Sequence, residues 1–435
     1  MALRFKEGGV GYDSNLSLFE SPPIETATDK TEWIEYRPVT QITKGSTIEF
    51  YIPGTSNDYV DLKHSRLFIK CKITKHDGSP VEEVAKAAFI NLPLHSLFRQ
   101  VDVALQQHVI TPSVGQNYPY KAIIDTLLSH ERPPYKAVLQ SELFFKDSAN
   151  YMDALVSESG NAGLMGRAEY TDGGKSVDLE GPICMDICQQ ERLIMNGVSI
   201  SIKLFPNTDP FVIMGPSADK HKYSIEDAKM KICHVKVNPG VMLGHAAALK
   251  KNPALYPHIR SDIKAFNIPQ GSFTWNMDDI YQGSVPSRVV VGLVGGQSYS
   301  GSYEKNPFNF QHYNLNFISF EVDGSSVPGR PLQPNYKENN FVSSYLTMVN
   351  ASKQNTLINH TFIDGRYAYP LGYCLYVFDV KGKQEKQFMN LLHKGHTRLS
   401  IRFDEALKES VTAVVYSHFP AILQIDEARN IINQA

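Results

Sequence analysis

Residues 48–54 read I-E-F-Y-I-P-G, and residues 263–271 read I-K-A-F-N-I-P-Q-G. Both are short runs of β-branched and aromatic residues that stop at a proline followed by glycine or Gln-Gly, a pattern typical of a strand entering a turn. Their Ile-Pro pairs, at Pro53 and Pro269, lie 216 residues apart, close to half of the 435-residue chain. A segment that returns after half a chain length indicates internal duplication.

Three further pairs of segments follow the same order at offsets of 222, 218 and 199 residues. They are S-R-L-F-I at 65–69 with S-R-V-V-V at 287–291, Asn117-Tyr118 with Asn335-Tyr336, and S-I-K-L at 201–204 with S-I-R-F at 400–403. Each match is short, but four in one order predict a tandem repeat of two units.

The composition is that of a folded chain with two domains of about 200 residues each. Hydrophobic residues make up 42% of the chain and charged residues 20%, which excludes a disordered protein. The 22 Tyr and 22 Phe favour β structure. A net charge of −2 provides no overall basic field for nucleic acid, so any DNA contact would be local.

Five cysteines lie in apolar, strand-like runs without the spacing of a disulfide framework, so we expect buried reduced thiols in a cytosolic or nuclear protein. They are Cys71, Cys184, Cys188, Cys233 and Cys374. The first residues lack the apolar core of a signal peptide, and no run approaches about 18 apolar residues. We therefore expect no secretory signal and no membrane span.

Alternation of period two predicts short strands throughout, and helical spacing predicts one helix in each unit. The strand candidates are 47–52, 66–74, 97–110, 183–187, 198–205 and 228–237 in the first unit, and 262–268, 287–294, 314–323, 373–380, 397–403 and 411–425 in the second. The helix candidates are 118–129 and 337–350, and a short Ala/Leu helix is expected between the units.

About eight short antiparallel strands in each unit are best accommodated in two packed four-stranded sheets. We therefore predict an all-β fold of two tandem eight-stranded jelly rolls, a double jelly roll, with short helices inserted in loops. The expected division is an N-terminal arm at 1–34, jelly roll 1 at 35–238, a linker at 239–260 and jelly roll 2 at 261–435.

The segment 280–334 carries I-Y-Q-G-S-V-P-S-R-V-V-V-G-L-V, N-P-F-N-F and E-V-D-G-S-S-V-P-G-R-P. With the opening I-E-Y-R-P-V-T-Q-I-T-K-G-S-T-I-E-F-Y-I-P-G and the ending V-V-Y-S-H-F-P-A-I-L-Q-I-D-E-A-R-N, it resembles the double jelly-roll major capsid proteins of Polinton (Maverick) elements and adintoviruses. The resemblance covers residues 32–430 and lies in the overall sequence pattern, not in one short motif.

The resemblance implies a structural, hexon-like protein of the virion and not an enzyme. Three copies would form a pseudo-hexagonal capsomer, and capsomers would tile an icosahedral shell around double-stranded DNA, assembled in the nucleus or cytoplasm of the host cell. The implied partners are further copies of the chain, penton and minor capsid proteins and, at most, non-specific contact with packaged DNA. The segments 131–180 and 296–313 are candidates for outer loops and contacts between chains.

We predict no catalytic, cofactor-binding or metal-binding residues, and no cofactor. The glycine-rich segment 292–301 lacks the lysine of a phosphate loop and is expected to be a loop tip. His393 and His396 form the closest histidine pair, without an evident third metal ligand. Lysines 70 and 72, and 229, 231 and 236, alternate along strands, which indicates a solvated face or, alternatively, contact with phosphates.

A rival hypothesis is an enzyme or glycan-binding protein built on tandem jelly rolls, because one fold serves many functions. Such proteins are usually secreted and disulfide-bonded. The expected lack of a signal peptide and the odd number of cysteines favour the capsid interpretation.

Overall fold

The computed structural model describes residues 25–54, 57–81, 86–111, 117–128, 138–281, 283–351, 363, 365–380 and 393–434. The strands of the first half are β1 (Thr28–Tyr36), β2 (Ile48–Ile52), β3 (Tyr59–Thr74), β4 (Ala88–Phe89), β5 (Phe98–Leu105), β6 (His108–Val109), β7 (Val177–Gly181), β8 (Ile200–Pro206), β9 (Ile213–Met214) and β10 (Lys222–Val237).

The strands of the second half follow in a similar order along the chain. They are β11 (Ala254–Ile268), β12 (Thr274–Asp278), β13 (Arg288–Gly295), β14 (Phe310–Gln311), β15 (Leu315–Val322), β16 (Ser325–Leu332), β17 (Leu371–Gly372), β18 (Leu375–Asp379), β19 (Thr397–Phe403), β20 (Val411–Ile425) and β21 (Ile431–Gln434).

Short helices occupy the connections. They are α1 (Pro93–Ser96), α2 (Tyr118–Leu128), α3 (Ala162–Thr171), α4 (Asp186–Gln189), α5 (Asp209–Val212), α6 (Pro239–Leu249), α7 (Gly296–Ser300), α8 (Val342–Ala351) and α9 (Gly365–Ala368).

Each half forms two antiparallel four-stranded sheets. The first half has sheets β1-β10-β3-β7 and β2-β8-β5-β6, and the second has β11-β20-β13-β18 and β12-β19-β15-β16, with β21 added beside β20. When the eight principal strands of each half are counted from 1 to 8, both halves have the orders 1-8-3-6 and 2-7-4-5. The predicted fold of two tandem eight-stranded jelly rolls is therefore confirmed.

Alternating side chains build the core between the paired sheets. Leu67, Ile69, Cys71 and Ile73 of β3 are at most 1% exposed, whereas the lysines between them point outward. Burying one apolar face of each strand is what drives two sheets together, and it fixes which residues point inward.

The helix predicted at 118–129 is confirmed as α2, but the second predicted helix begins late. Asn335 and Asn340 exchange backbone hydrogen bonds of 2.9 and 2.8 Å, which closes a turn just before α8. The helix therefore starts at Val342 rather than at residue 337.

Some expected strands are placed differently. The strand predicted at 183–187 is wrong, because the chain leaves β7 at Gly181 and residues 186–189 form α4. A strand also occupies most of the described part of the expected arm, since β1 pairs with β10 as a sheet edge. Similarly, β11 begins at Ala254, inside the expected linker, while the domain limits themselves stay a prediction.

The opening pair of similar segments does not mark equivalent positions. Residues 48–52 form the second strand of the first jelly roll, whereas 263–268 lie in the first strand of the second. A strand followed by proline and a turn is too common to identify one strand. Two of the other pairs fall at matching places, on the third and on the seventh strands, whereas Asn117-Tyr118 lies at the start of α2 and Tyr336 lies six residues before α8.

Candidate functional site: the interface between the jelly rolls

The outer faces of the third strands differ between the two jelly rolls. In β3, Lys70 is exposed and Phe68 is only partly buried, so this sheet has an open outer face. In β13, every residue after Arg288 is buried, so both faces are covered. Phe310 lies so close to Gly292 that an added Cβ would stand 2.6 Å from its ring, so only glycine fits there.

A buried ion cluster joins α2 of the first jelly roll to the second. The Lys121 ammonium lies 2.7 Å from Asp125 and 3.2 Å from Asp186. Across the interface, the Tyr416 hydroxyl donates to Asp125 at 2.7 Å, and the Ser261 backbone N–H donates to Asp186 at 2.6 Å. Two carboxylates therefore share one ammonium, and groups from the other jelly roll satisfy their remaining oxygens.

The charges of this cluster set the protonation of its members. Burial alone would lower the pKa of Lys121, but the Asp125 and Asp186 carboxylates outweigh it and raise the pKa well above its ordinary value. Burial alone would raise the pKa of Asp125, but the Lys121 ammonium outweighs it and lowers the pKa. Both side chains are therefore held in their charged forms.

Aromatic rings pack across the same interface. Tyr120 of α2 stacks on Tyr299 at a centroid distance of 5.5 Å and meets Phe308 edge-on at 5.7 Å. Phe211 of the first jelly roll also meets Phe308 edge-on at 6.3 Å. The segment 296–313, expected to be an outer loop, therefore packs partly between the jelly rolls, because Phe308 and Phe310 are buried.

A second buried ion pair anchors the other predicted outer loop. Arg167 Nη2 lies 2.7 Å from Asp147 Oδ1, and the guanidinium also donates to the Phe89 and Phe145 carbonyls. Tyr373 of the second jelly roll donates to the Asp147 carbonyl at 2.6 Å. The described part of 131–180 is thus partly core and partly interface, whereas residues 131–137 lie outside the described residues.

A histidine cluster that sequence reasoning missed lies behind α2. His95 Nε2 is 3.0 Å from Glu142 and 3.8 Å from the Cys184 thiol, while its Nδ1 is 2.9 Å from the Tyr118 hydroxyl. In a nucleophilic triad the acid and the nucleophile occupy opposite ring nitrogens. Here both lie at Nε2, so the geometry is that of a packed polar cluster. No spacing in the sequence links these residues.

The histidine pair considered as a metal site is not brought together with further ligands. His396 Nδ1 lies 2.9 Å from Asp279, and the His393 backbone carbonyl accepts from Val285. In the described ranges, no three His, Cys, Asp or Glu side chains are grouped to hold a metal ion. The glycine-rich segment 292–301 is the end of β13 followed by α7, so its assignment as a loop tip is wrong.

All five cysteines are free, and Cys184 alone among them is partly exposed. Burial raises the pKa of Cys188 to about 12 and that of Cys233 to about 11, because a thiolate would lose its hydration there. Four of the five thiols are therefore buried as expected, whereas Cys184 is partly exposed.

The alternating lysines lie on the outer face of the first jelly roll, next to carboxylates. Lys72 is 2.7 Å from Glu226, and Lys231 is 2.6 Å from Glu180. Lys229 lies 3.6 Å from Glu35. Neighbouring carboxylates offset this positive charge, so the face is a mixed, solvated surface and not a basic patch.

A polar pocket of about 280 Å³ opens where the two jelly rolls meet. Asp153 reaches it from the first jelly roll, and Lys305, Gln311 and Glu409 reach it from the second. Lys305 and Asp153 lie 3.3 Å apart. Among the helices described, none combines the length and the apolar character needed to cross a membrane.

No protein-family model matches the chain. The Caenorhabditis elegans protein F54H12.2 is 22% identical over 423 residues, which cover 94% of this chain and 98% of that protein. Among solved structures, a chain of the Sputnik virophage superposes with a TM-score of 0.62 at 12% identity, covering 98% of this chain and 93% of that one.

Two viral capsid proteins give similar results. The Faustovirus major capsid protein superposes with a TM-score of 0.59 at 9% identity, covering 94% of this chain and 93% of its own. The mavirus major capsid protein superposes with a TM-score of 0.54 at 11% identity, covering 100% and 97%. The chain thus has the double jelly-roll fold of viral major capsid proteins over nearly its whole length.

Proposed function

We propose that this chain is a structural major capsid protein of viral type, acting through assembly and not through catalysis. The observation that supports the proposal is the likeness to major capsid proteins over nearly the full length of both chains. It includes both jelly rolls and the segments that join them. A partial likeness would be compatible with many functions that use a single jelly roll.

The proposal includes a homotrimer. Two jelly rolls in each chain give six in a trimer, which is a pseudo-hexagonal, hexon-like unit able to tile an icosahedral shell around double-stranded DNA. Penton and minor capsid proteins would complete the shell, which would assemble in the nucleus or cytoplasm. The proposal also assigns the chain to the Polinton, Maverick and adintovirus proteins, and the resemblance carried by residues 280–334 supports this assignment.

Light scattering on a sizing column tests the proposal directly. The chain mass is 48.8 kDa, so a trimer has three times that mass, about 146 kDa. We expect this mass at micromolar concentration and hexagonal arrays or shells by electron microscopy. A monomer of 48.8 kDa over a wide concentration range would contradict the proposal.

The alternative of a glycan-binding protein or enzyme has its own test. The pocket bordered by Asp153, Lys305 and Glu409 is where a polar ligand would fit. Binding on a glycan array that is lost in Glu409→Ala, in a protein that stays monomeric, would support the alternative over the capsid proposal.

A further inference from the structure

Because the two jelly rolls have the same strand order, each position in one has a counterpart in the other. The pairing of the eighth with the third strand gives the register. Lys231 faces Arg66 in the first jelly roll, and His418 faces Arg288 in the second. Arg66 and Arg288 occupy the same place in the repeated Ser-Arg segments. Lys231 is therefore the counterpart of His418.

The same register gives two further pairs of counterparts, one on the eighth strands and one on the first strands. Lys229 corresponds to Tyr416, because these residues face the third strands at matching positions. Glu35 corresponds to Ser261, because Glu35 faces Lys231 and Ser261 faces His418. The first jelly roll thus carries, on β1 and β10, the equivalent of the surface that α2 contacts on β11 and β20.

Among the residues that the structure describes, this surface of the first jelly roll is open. Its side chains are Trp33, Glu35, Lys229 and Lys231, which we call the sheet patch. Trp33 is 55% exposed, and the Glu35 side chain is 53% exposed. The Lys229 side chain is 24% exposed, whereas its counterpart Tyr416 is 2% exposed beneath α2.

The second jelly roll carries α8 where the first carries α2, between the fifth and the sixth strand, and one side of α8 is open among the described residues. Asn117, just before α2, is 7% exposed because its side chain donates to the Ile263 carbonyl at 2.9 Å. Asn335, which matches it in the repeated Asn-Tyr pair of the sequence, is exposed. In the helix that follows, Val342 and Leu346 are 39% and 44% exposed and lie one turn apart on one side. We call Asn335, Val342 and Leu346 the helix patch.

We propose that the helix patch of one copy packs on the sheet patch of a second copy, repeating between chains the contact that joins the jelly rolls within a chain. Trp33 would meet Val342 and Leu346 at the centre of this contact, where aromatic and aliphatic side chains contribute most. The inference rests on the proposed capsomer and names the two surfaces that form it.

The two patches are different surfaces, so the contact is heterologous: each copy offers one patch and receives the other. A ring of three copies then uses every patch and leaves none open. A chain damaged in the sheet patch and a chain damaged in the helix patch can therefore still form one intact contact with each other. A symmetric contact, in which each copy uses the same patch, would not allow this.

The experiment uses Trp33→Asp, which damages the sheet patch, and Leu346→Asp, which damages the helix patch, in the full chain. We expect each variant alone to lose the trimer and to elute at 48.8 kDa. An equimolar mixture should give a species of twice the chain mass, about 98 kDa, because one intact helix patch and one intact sheet patch remain. Leu243→Asp is the matched control, since Leu243 is 73% exposed on α6 outside both patches.

The outcomes separate this inference from the proposed function. A wild-type monomer would contradict the capsomer itself. If the wild type is a trimer and both variants also form trimers, the assignment of these patches is wrong but the capsomer stands. The same holds if the variants stay monomeric when they are mixed. Circular dichroism and urea unfolding verify folding, and Glu35→Arg in the sheet patch or Val342→Asp in the helix patch replaces any variant that fails them. Loss of the trimer in Leu243→Asp would also count against the assignment.

Discussion

The Tyr416 hydroxyl donates a 2.7 Å hydrogen bond to Asp125, although the two residues are 291 positions apart and belong to different jelly rolls. Asp125 is also 2.7 Å from Lys121 on its own helix. The eighth strand of one jelly roll and the inserted helix of the other are therefore joined through a charged, partly buried group. Hydrogen bonds to charged groups are stronger than neutral ones, so this contact holds the jelly rolls in one arrangement.

Removing the cation of this cluster should destabilise the protein strongly. Lys121→Met leaves the Asp125 and Asp186 carboxylates without a counterion in a buried site, and we expect a loss of about 3–5 kcal/mol in the free energy of unfolding. Urea denaturation at neutral pH measures it. Lys63→Met removes an exposed pair with Glu191 and should change stability by less than about 1 kcal/mol. Equal effects of the two substitutions would contradict the role of the cluster.

Tyr416→Phe tests the single hydrogen bond across the interface. It removes the hydroxyl but keeps the ring, so we expect a loss of about 1.5–3 kcal/mol, typical of a hydrogen bond to a charged group. In Lys121→Met the same substitution should have a different effect, because both side chains contact Asp125. Additive effects in this double-mutant cycle would show that the two contacts are independent.

The buried Arg167–Asp147 pair should be equally sensitive. Arg167→Met leaves the buried Asp147 carboxylate without its counterion and removes a donor from the Phe89 and Phe145 carbonyls, and we expect a loss of about 3–5 kcal/mol. Arg398→Met is the control, since its partner Asp278 lies 3.2 Å away at the surface. Thermal unfolding at one protein concentration compares the two variants. A similar melting temperature for both would rule out a structural role for the buried pair.

Acid should weaken the interface through His418. Burial lowers the pKa of His418 from 6.5 to about 4, so the folded protein keeps this ring neutral while the unfolded chain takes up a proton. Stability therefore falls as the pH drops from about 6.5 to 4, by about 1–3 kcal/mol for this group. His418→Phe keeps a ring beside Tyr416 and should reduce the pH dependence of urea denaturation, while the part due to His312, whose pKa burial also lowers to about 4, should remain. His76→Gln, at an exposed histidine, should leave it unchanged.

Thiol reactivity should separate one cysteine from the other four. Cys184 is partly exposed, whereas the remaining cysteines are buried and burial raises the pKa of each. With an aromatic disulfide reagent at pH 8, we expect one thiol of the native chain to react rapidly and the others only on unfolding. Cys184→Ser should abolish the rapid phase. Rapid reaction of several thiols would mean that the sheets open readily.

Local patterns predicted most strands because the two-residue period is a property of each strand alone. The segment 66–74 identified the inward face of β3, and α2 followed from helical spacing. The turn closed by Asn335 and Asn340 delayed α8, because it depends on backbone hydrogen bonds that spacing does not reveal. β1 was missed because, at the sheet edge, most of its side chains are exposed.

The sequence did contain a signal for the interface. β3 alternates lysine with apolar residues, whereas residues 289–295 of β13 form a continuous apolar run, V-V-V-G-L-V-G. Such a run is typical of a strand that is covered on both faces. It indicates that something covers the second jelly roll, but it does not identify α2 as the cover.

The sequence by itself determined the periods of the strands, the inserted helix α2 and the duplication into two jelly rolls, because these depend on neighbouring residues along the chain. Only the tertiary structure decided that Lys121 meets Tyr416 and that Phe308 and Phe310 lie inside the molecule. The physical reason is that a sheet's outer face can be buried by any complementary surface. Which surface does so depends on the packing of residues nearly 300 positions apart, and no local pattern records it.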